Sequence, residues 1–406
     1  MNESYSKLLQ ALILIYLSFW LGFNIFYFSS NFSELAYQDD FNHYYASAWL
    51  FAQEKIPYCI KLTTLPLREF VWAKDIPSAT NTPFHIFITQ ALAQLPPSTA
   101  WITWISCNFI CGLIAIWIII QELPFLNEKS RWLFCLLAVM GSYGFLDNLF
   151  YAQIQLILFL LVVCFWKFIR NEEYTYAALS WGILMAIKPL GFLLIFALVS
   201  RRLWKACAIG LGTFLLANLL PTLHFGQEII NSYLSCALPI VREWSIKSLW
   251  NIGLIDSIFR LGRLFNLEIE GFMRYAECAI VLLVVLISFG YSRNLTSSKR
   301  HADILVSFLS LLGSISLVVA WPSYLVFSLL PLAVIWNSKE NKREAGYLVF
   351  LFWALINLKP IWEIALVNQN AMLVKSLILP GILCLLLVQL KKLRESPGAG
   401  EIEASD

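Results

Sequence analysis

The chain is a succession of apolar runs, at about residues 8–28, 98–120, 131–147, 150–169, 175–187, 190–200, 205–220, 273–291, 302–320, 324–336, 346–358 and 372–390. A run of about 20 nearly uncharged residues is long enough to cross a bilayer as a helix. Soluble domains carry roughly 25% charged residues. Here charged residues make up 14% and apolar ones 59%, which excludes a soluble enzyme. In lipid the backbone must satisfy its own hydrogen bonds, so the expected fold is an all-α polytopic membrane protein. Several runs are shorter than a straight span, so they must be tilted, broken or buried among neighbours. Residues 83–95, ahead of Pro96-Pro97, read as a short apolar helix that dips into the bilayer without crossing it.

Basic residues set the orientation. With the N-terminus inside, the interior segments hold Lys7, Lys129, Arg131, Lys167, Arg170, Arg201, Arg202, Lys205, Arg293, Lys299, Arg300, Lys339, Lys342, Arg343, Lys391, Lys392 and Arg394. The short outer connections hold only Lys188, Lys359 and Lys375. The positive-inside rule then places both ends in the cytoplasm and gives about twelve crossings. Residues 1–394 form a single integral membrane domain, with a first outer loop at 29–82 and a second at 221–272. Residues 395–406, with Pro, Gly and acids, read as a disordered cytoplasmic tail. Leu8 to Phe28 is long for a cleavable signal and reads as an anchor.

The net charge of +3 leaves no footprint for nucleic acid. Nine cysteines are scattered without a CxxC pair or a His-rich cluster, so no metal site is expected. Most cysteines read as packing residues. Cys59 and Cys236 fall in the two outer loops, and the expectation is that they do not pair.

Within the first outer loop, Asp39-Asp40-Phe41-Asn42-His43-Tyr44 puts two adjacent carboxylates ahead of aromatic and small residues at helical spacing. Either acid could simply start a helix. Held at a membrane face, either could also act as a base. Asp147, Asn148, Gln153 and Lys188 fall at outer ends of middle spans, so polar residues distant in sequence converge on the same face.

Asp40-Phe41-x-x-Tyr44, Asn81-Thr82-Pro83-Phe84, Ala152-Gln153-Ile154-Gln155, Ala186-Ile187-Lys188-Pro189, Ile246-Lys247-Ser248-Leu249 and Ala320-Trp321-Pro322-Ser323-Tyr324 occur in that order. This set resembles glycosyltransferase family 87 of the GT-C membrane glycosyltransferases, whose best-known members use polyprenyl-phosphate-mannose. The resemblance spans roughly residues 10–340. It implies a GT-C-type fold with short amphipathic helices on the outward-facing first loop, and an inverting transfer from a polyprenyl-phosphate-linked sugar donor. The acceptor it implies is a glycolipid or lipid-linked saccharide at the extracytoplasmic side of a bacterial inner or plasma membrane. No cofactor or metal is implied.

On this resemblance Asp40 takes the position of the catalytic base, with Asp39 as the alternative. Lys188 is the candidate for the donor phosphate, against the plainer reading that it snorkels to the interface. Arg242 and Lys247 are further phosphate candidates, or solvated cations. His43, Tyr44, His85, Gln153, Ser248 and Tyr324 are candidates for sugar or acceptor binding; Gln153 could instead brace the Asp-bearing segment, and His43 could orient Asp40. The chain departs from the family pattern at three places. Ala152 stands where glycine is usual, Lys247-Ser248 is a weakened form of an Asn-x-Ser motif, and no histidine follows Trp321-Pro322-Ser323-Tyr324. The rival readings are a polytopic transporter, which predicts mid-membrane charges and paired halves, and a non-catalytic member of the same fold.

Overall fold

The structure, a computed structural model, describes residues 39–60, 79–123, 128–247, 251–258, 273–293, 298–316, 320, 322–338, 342–356 and 381–393, with isolated positions before residue 23. The 395–406 tail, Ser248 and the interior of the first outer loop lie outside the described residues. So do the Asp39 and Lys247 side chains, although both residues have a described helical backbone.

Among the described residues every regular element is helical. The helices are α1 Asp39–Ala52, α2 Pro83–Thr89, α3 Pro97–Glu122, α4 Glu128–Val139, α5 Tyr143–Phe150, α6 Gln155–Arg170, α7 Tyr174–Ile187 and α8 Ile195–Val199. They continue as α9 Trp204–Phe225, α10 Glu228–Ser232, α11 Leu238–Lys247, α12 Met273–Ser292, α13 Lys299–Ser316, α14 Leu329–Ser338 and α15 Lys342–Ile356. Two of them, α3 and α9, are long and apolar enough to cross a membrane. A third crossing results if Ser130–Val139 and Tyr143–Phe150, bent by 41° at their break, are taken together. Other apolar helices are shorter because the chain breaks them. Lys188-Pro189 ends α7, since proline has no amide hydrogen to continue the ladder. Arg202 at φ 56° turns the chain from α8 into α9.

The second outer segment, expected to begin at residue 221, opens inside a helix: α9 continues through Pro221 to Phe225 and stops at Gly226, whose φ of 73° suits glycine. Residues 228–247 are then helical, with a π-turn at Tyr233–Ala237.

The main core is packed on α6, whose Phe159, Phe165 and Trp166 are fully buried. Helices α3 and α7 flank it. Helices α7 and α9 approach through glycines: a Cβ on Gly182 would stand 2.4 Å from the Gly210 carbonyl oxygen. Small residues at such crossings allow the backbone contact that drives association in lipid. At one end of this core, Arg170 bonds to Asp303 and lies 3.7 Å from Glu122. Lys167 reaches Glu122 at 3.8 Å, and the Trp166 indole donates to Asp303 at 2.8 Å. The cluster ties α3, α6 and α13 together, and removing one partner would strand a buried charge.

At the opposite end a second, smaller core joins the two outer segments. Phe51, Tyr58, Ala79, Ile86, Ile229 and Ala237 form it. The Phe51 and Phe225 rings lie 4.2 Å apart and those of Tyr58 and Tyr233 5.5 Å apart. Here the sequence expectation fails. Cys59 and Cys236 form a disulfide, their Cα atoms 5.4 Å apart across 177 residues. The shared apolar core brings them together, and nothing in their spacing announces it.

Candidate active site

The site begins with α1. Its first turn contains Asp39 and Asp40, where negative charge suits the helix N-terminus. Its following residues bury Phe41, His43, Tyr44 and Tyr45. The Tyr45 hydroxyl donates to the Leu95 carbonyl at 2.8 Å, fixing α1 against the turn that precedes α3. Asp40 stays partly open.

Gln153 closes on Asp40. Its Nε2 donates to Asp40 Oδ2, while its Oε1 accepts from the Tyr44 hydroxyl at 3.4 Å. Gln153 follows Ala152, a non-glycine residue at φ 48°. Glycine would adopt this left-handed conformation without strain, whereas alanine does so at a cost. Trp104 holds the same turn, its indole nitrogen donating to the Ala152 carbonyl at 2.7 Å.

Lys188 arrives from the other side. The Thr82 hydroxyl lies 2.8 Å from the Ala186 carbonyl and 2.9 Å from that of Ile187, docking the Asn81-Thr82-Pro83 turn onto the end of α7. Thr82 also accepts from the His85 amide at 3.2 Å and so caps α2. The same residue therefore starts the helix that carries His85 and fixes it beside Lys188. The Lys188 ammonium sits 5.0 Å from the centroid of the Tyr324 ring.

Tyr324 is positioned by backbone contact. Asn148, fully buried, donates to the Gly144 carbonyl at 2.6 Å and the Ser323 carbonyl at 2.9 Å, and accepts from the Gln155 amide at 3.1 Å. Next to it, Ile252 donates to the Ala320 carbonyl at 2.7 Å and the Asn251 side chain accepts from the Ala320 amide at 2.9 Å. The middle of the 221–272 segment is thereby fixed just ahead of Tyr324.

The electrostatics follow from enclosure. Burial lowers the His43 pKa to about 4. Burial, with Lys188 nearby, lowers that of His85 to about 3, so both rings are neutral near pH 7. The Tyr44 phenol is held well above its ordinary value by burial and then by Asp40 and Tyr324. Asp40 and Tyr324 thus both bear on Tyr44, and Lys188 bears on His85. His85 Nε2 and the Tyr324 hydroxyl are buried without hydrogen-bond partners, and such groups normally have them.

Of the sequence candidates, Asp40, Tyr44, His85, Gln153, Lys188 and Tyr324 are brought together. His43 sits one turn beyond Asp40 on α1. Arg242 is engaged elsewhere, with Nη2 2.9 Å and Nε 3.3 Å from the two Glu277 oxygens. Lys247 ends α11, and Ser248 lies outside the described residues. The sequence reading missed Trp104 and the docking role of Thr82. Trp104 is one of sixteen tryptophans in a chain whose aromatics suit membrane interfaces, and no motif set it apart.

Among the described residues, apolar helices bring a carboxylate beside Tyr44 and a lysine beside Tyr324, an arrangement that suits a membrane enzyme. Residues 79–320 match the profile of glycosyltransferase family 87, more than half of the chain, and the protein belongs to that family. It is a glycosyltransferase. No curated protein and no solved structure matches the chain. The matched stretch includes His85, Gln153, Lys188, Arg242, Lys247 and Ser248, and begins after Asp40.

Proposed function

We propose that the protein is an inverting hexosyltransferase, with mannose the first candidate sugar. It moves the sugar from a polyprenyl-phosphate donor to a hydroxyl of a cell-envelope glycolipid or lipid-linked saccharide. The observation that carries this reading is the Asp40–Gln153–Tyr44 network, which joins a partly open carboxylate on α1 to the enclosure holding Lys188.

In the reaction Asp40 takes the proton of the acceptor hydroxyl as that oxygen attacks the anomeric carbon. The bond from that carbon to the donor phosphate oxygen breaks, and polyprenyl phosphate leaves with the electron pair and an added negative charge. Lys188 opposes that charge, as a preorganised cation in a site shielded from water does effectively. A positioned base contributes ~10²–10⁴-fold. Gln153 holds Asp40 in place by donating to its Oδ2. Attack opposite the leaving group inverts the anomeric configuration.

The site belongs to the extracytoplasmic face. The distribution of basic residues supports this orientation, and the disulfide between the outer segments agrees with it, since disulfides persist in oxidising compartments. In this topology the chain crosses the membrane about twelve times, and a donor carried in lipid reaches a compartment without nucleotide sugars.

The test uses purified protein in lipid vesicles, labelled polyprenyl-phosphate sugars and a panel of membrane glycolipids. Transfer to one acceptor is expected, falling at least ~10²-fold in Asp40→Asn with the fold retained. Absence of transfer from every donor, or transfer unaffected in Asp40→Asn, would overturn the reading.

A further inference from the structure

The indole of Trp104 meets three parts of the site at once. It donates to the Ala152 carbonyl at 2.7 Å, packs edge-on against Tyr44 at 5.6 Å and stacks near His85 at 6.3 Å. Trp104 is 7% exposed and lies in the first third of α3, a long helix anchored at its far end by Glu122. It is therefore a fixed point against which the mobile parts of a site can be set.

The Ala152 carbonyl is the consequential contact. Alanine at φ 48° occupies a region in which its Cβ crowds the backbone, which costs ~1–2 kcal/mol relative to the right-handed form. Something must oppose relaxation of this turn, and the indole bond does so directly. The next residue is Gln153, which donates to Asp40. Relaxation of Ala152 would turn the Gln153 carboxamide away from both Asp40 and Tyr44.

We infer that Trp104 is a positioning residue for the carboxylate of Asp40, acting through the left-handed turn at Ala152 and the Gln153 side chain. The inference rests on the proposed role of Asp40, and it accounts for how this chain carries alanine where the turn suits glycine. With glycine the turn needs no restraint, because the left-handed region carries no penalty for that residue. With alanine the restraint comes from α3.

The test is Trp104→Phe, which keeps a ring beside Tyr44 and His85 while deleting the donor and part of the indole's volume, compared with the double variant Trp104→Phe/Ala152→Gly, which restores the turn but not the volume. Transfer assays should show a ~10-fold fall in kcat for Trp104→Phe, the effect of one lost hydrogen bond, with the donor KM unchanged. The acid limb of the kcat profile should move to higher pH, because a carboxylate that loses a donor holds its proton more tightly. The double variant should recover most of both effects. A readout free of catalysis is carbodiimide labelling of Asp40 followed by mass spectrometry across pH. Its midpoint should rise in Trp104→Phe and return in the double variant.

A wild-type labelling midpoint in Trp104→Phe would overturn the inference. So would a loss of kcat with an unmoved acid limb and no recovery on adding Ala152→Gly, which would mark a merely structural role. Labelling is informative even if no donor is accepted, so failure of the transfer assay and failure of this inference are distinguishable.

Discussion

The Lys188 ammonium lies 5.0 Å from the centre of the Tyr324 ring, although 136 residues separate the two in sequence. A cation over an aromatic face is stabilised by ~0.5–2 kcal/mol, the more so when desolvated. The contact holds the charge in place without neutralising it, as an anion site requires. Lys188→Gln should lower kcat/KM by ~10²-fold or more, the scale for losing one preorganised stabiliser of developing charge. Lys188→Arg should recover part of that loss. Steady-state kinetics with the labelled donor check both, and a Lys188→Gln enzyme with unchanged kcat/KM removes Lys188 from the reaction.

Two histidines give the fold a pH dependence with a definite sign. Burial lowers His43 to about 4, and burial with Lys188 lowers His85 to about 3, against 6.5 for the free side chain. Between those values and 6.5 the unfolded chain binds more protons than the folded one, so stability rises with pH there. Acidification from pH 6.5 toward 4 should cost on the order of 2–3 kcal/mol for each histidine. Thermal unfolding in detergent at stepped pH should show the decline, and His43→Gln with His85→Gln should flatten it. A slope retained in the double variant would assign it to other groups.

Gly144 touches the segment that carries Tyr324. A Cβ there would stand 2.3 Å from the Val326 nitrogen and 2.7 Å from the Leu325 carbonyl carbon, both backbone atoms. Backbone cannot rotate aside as a side chain can, so the 322–328 turn must move. Gly144→Ala should destabilise by ~1–3 kcal/mol and lower activity by displacing Tyr324. Gly212, beside which a Cβ would meet nothing within 4 Å, supplies the control. Gly212→Ala, inside α9, should leave activity unchanged and raise the unfolding temperature slightly, since alanine favours the helix by ~0.5–1 kcal/mol.

The disulfide is open to direct chemistry. Peptide mapping without reductant should yield a Cys59–Cys236 linked peptide. Cys236→Ser, or reduction of the native protein, should lower the unfolding transition by ~2–4 kcal/mol. Failure to recover the linked peptide from membranes of an oxidising compartment would argue against the pairing.

Much of this protein is readable before its structure. The apolar runs gave the helical membrane class, and the ordered motifs gave the family. The convergence of Asp40, Gln153 and Lys188 followed from placing each run end on one face. What escaped depended on distances that sequence does not encode. Cys59 and Cys236 look like unrelated cysteines until Phe51, Tyr58 and Phe225 bring their segments together. Arg242 reads as a free cation until Glu277, on α12, arrives beside it. Trp104 is indistinguishable from an interfacial tryptophan until the Ala152 carbonyl meets its nitrogen. The breaks at Lys188 and Arg202 fall between the apolar runs at 175–187, 190–200 and 205–220, so hydropathy located them, while the backbone conformation that makes them lay beyond it.

The bond between Cys59 and Cys236 also orders the birth of the protein. The second sulfur is synthesised 177 residues after the first, so every intervening helix leaves the ribosome before the link can close. Sealing is thus a late event in biogenesis, available only to copies whose two ends of this long stretch have already found each other. A chain that inserts α9 wrongly leaves both thiols reduced, and that chemical mark distinguishes misassembled molecules from finished ones.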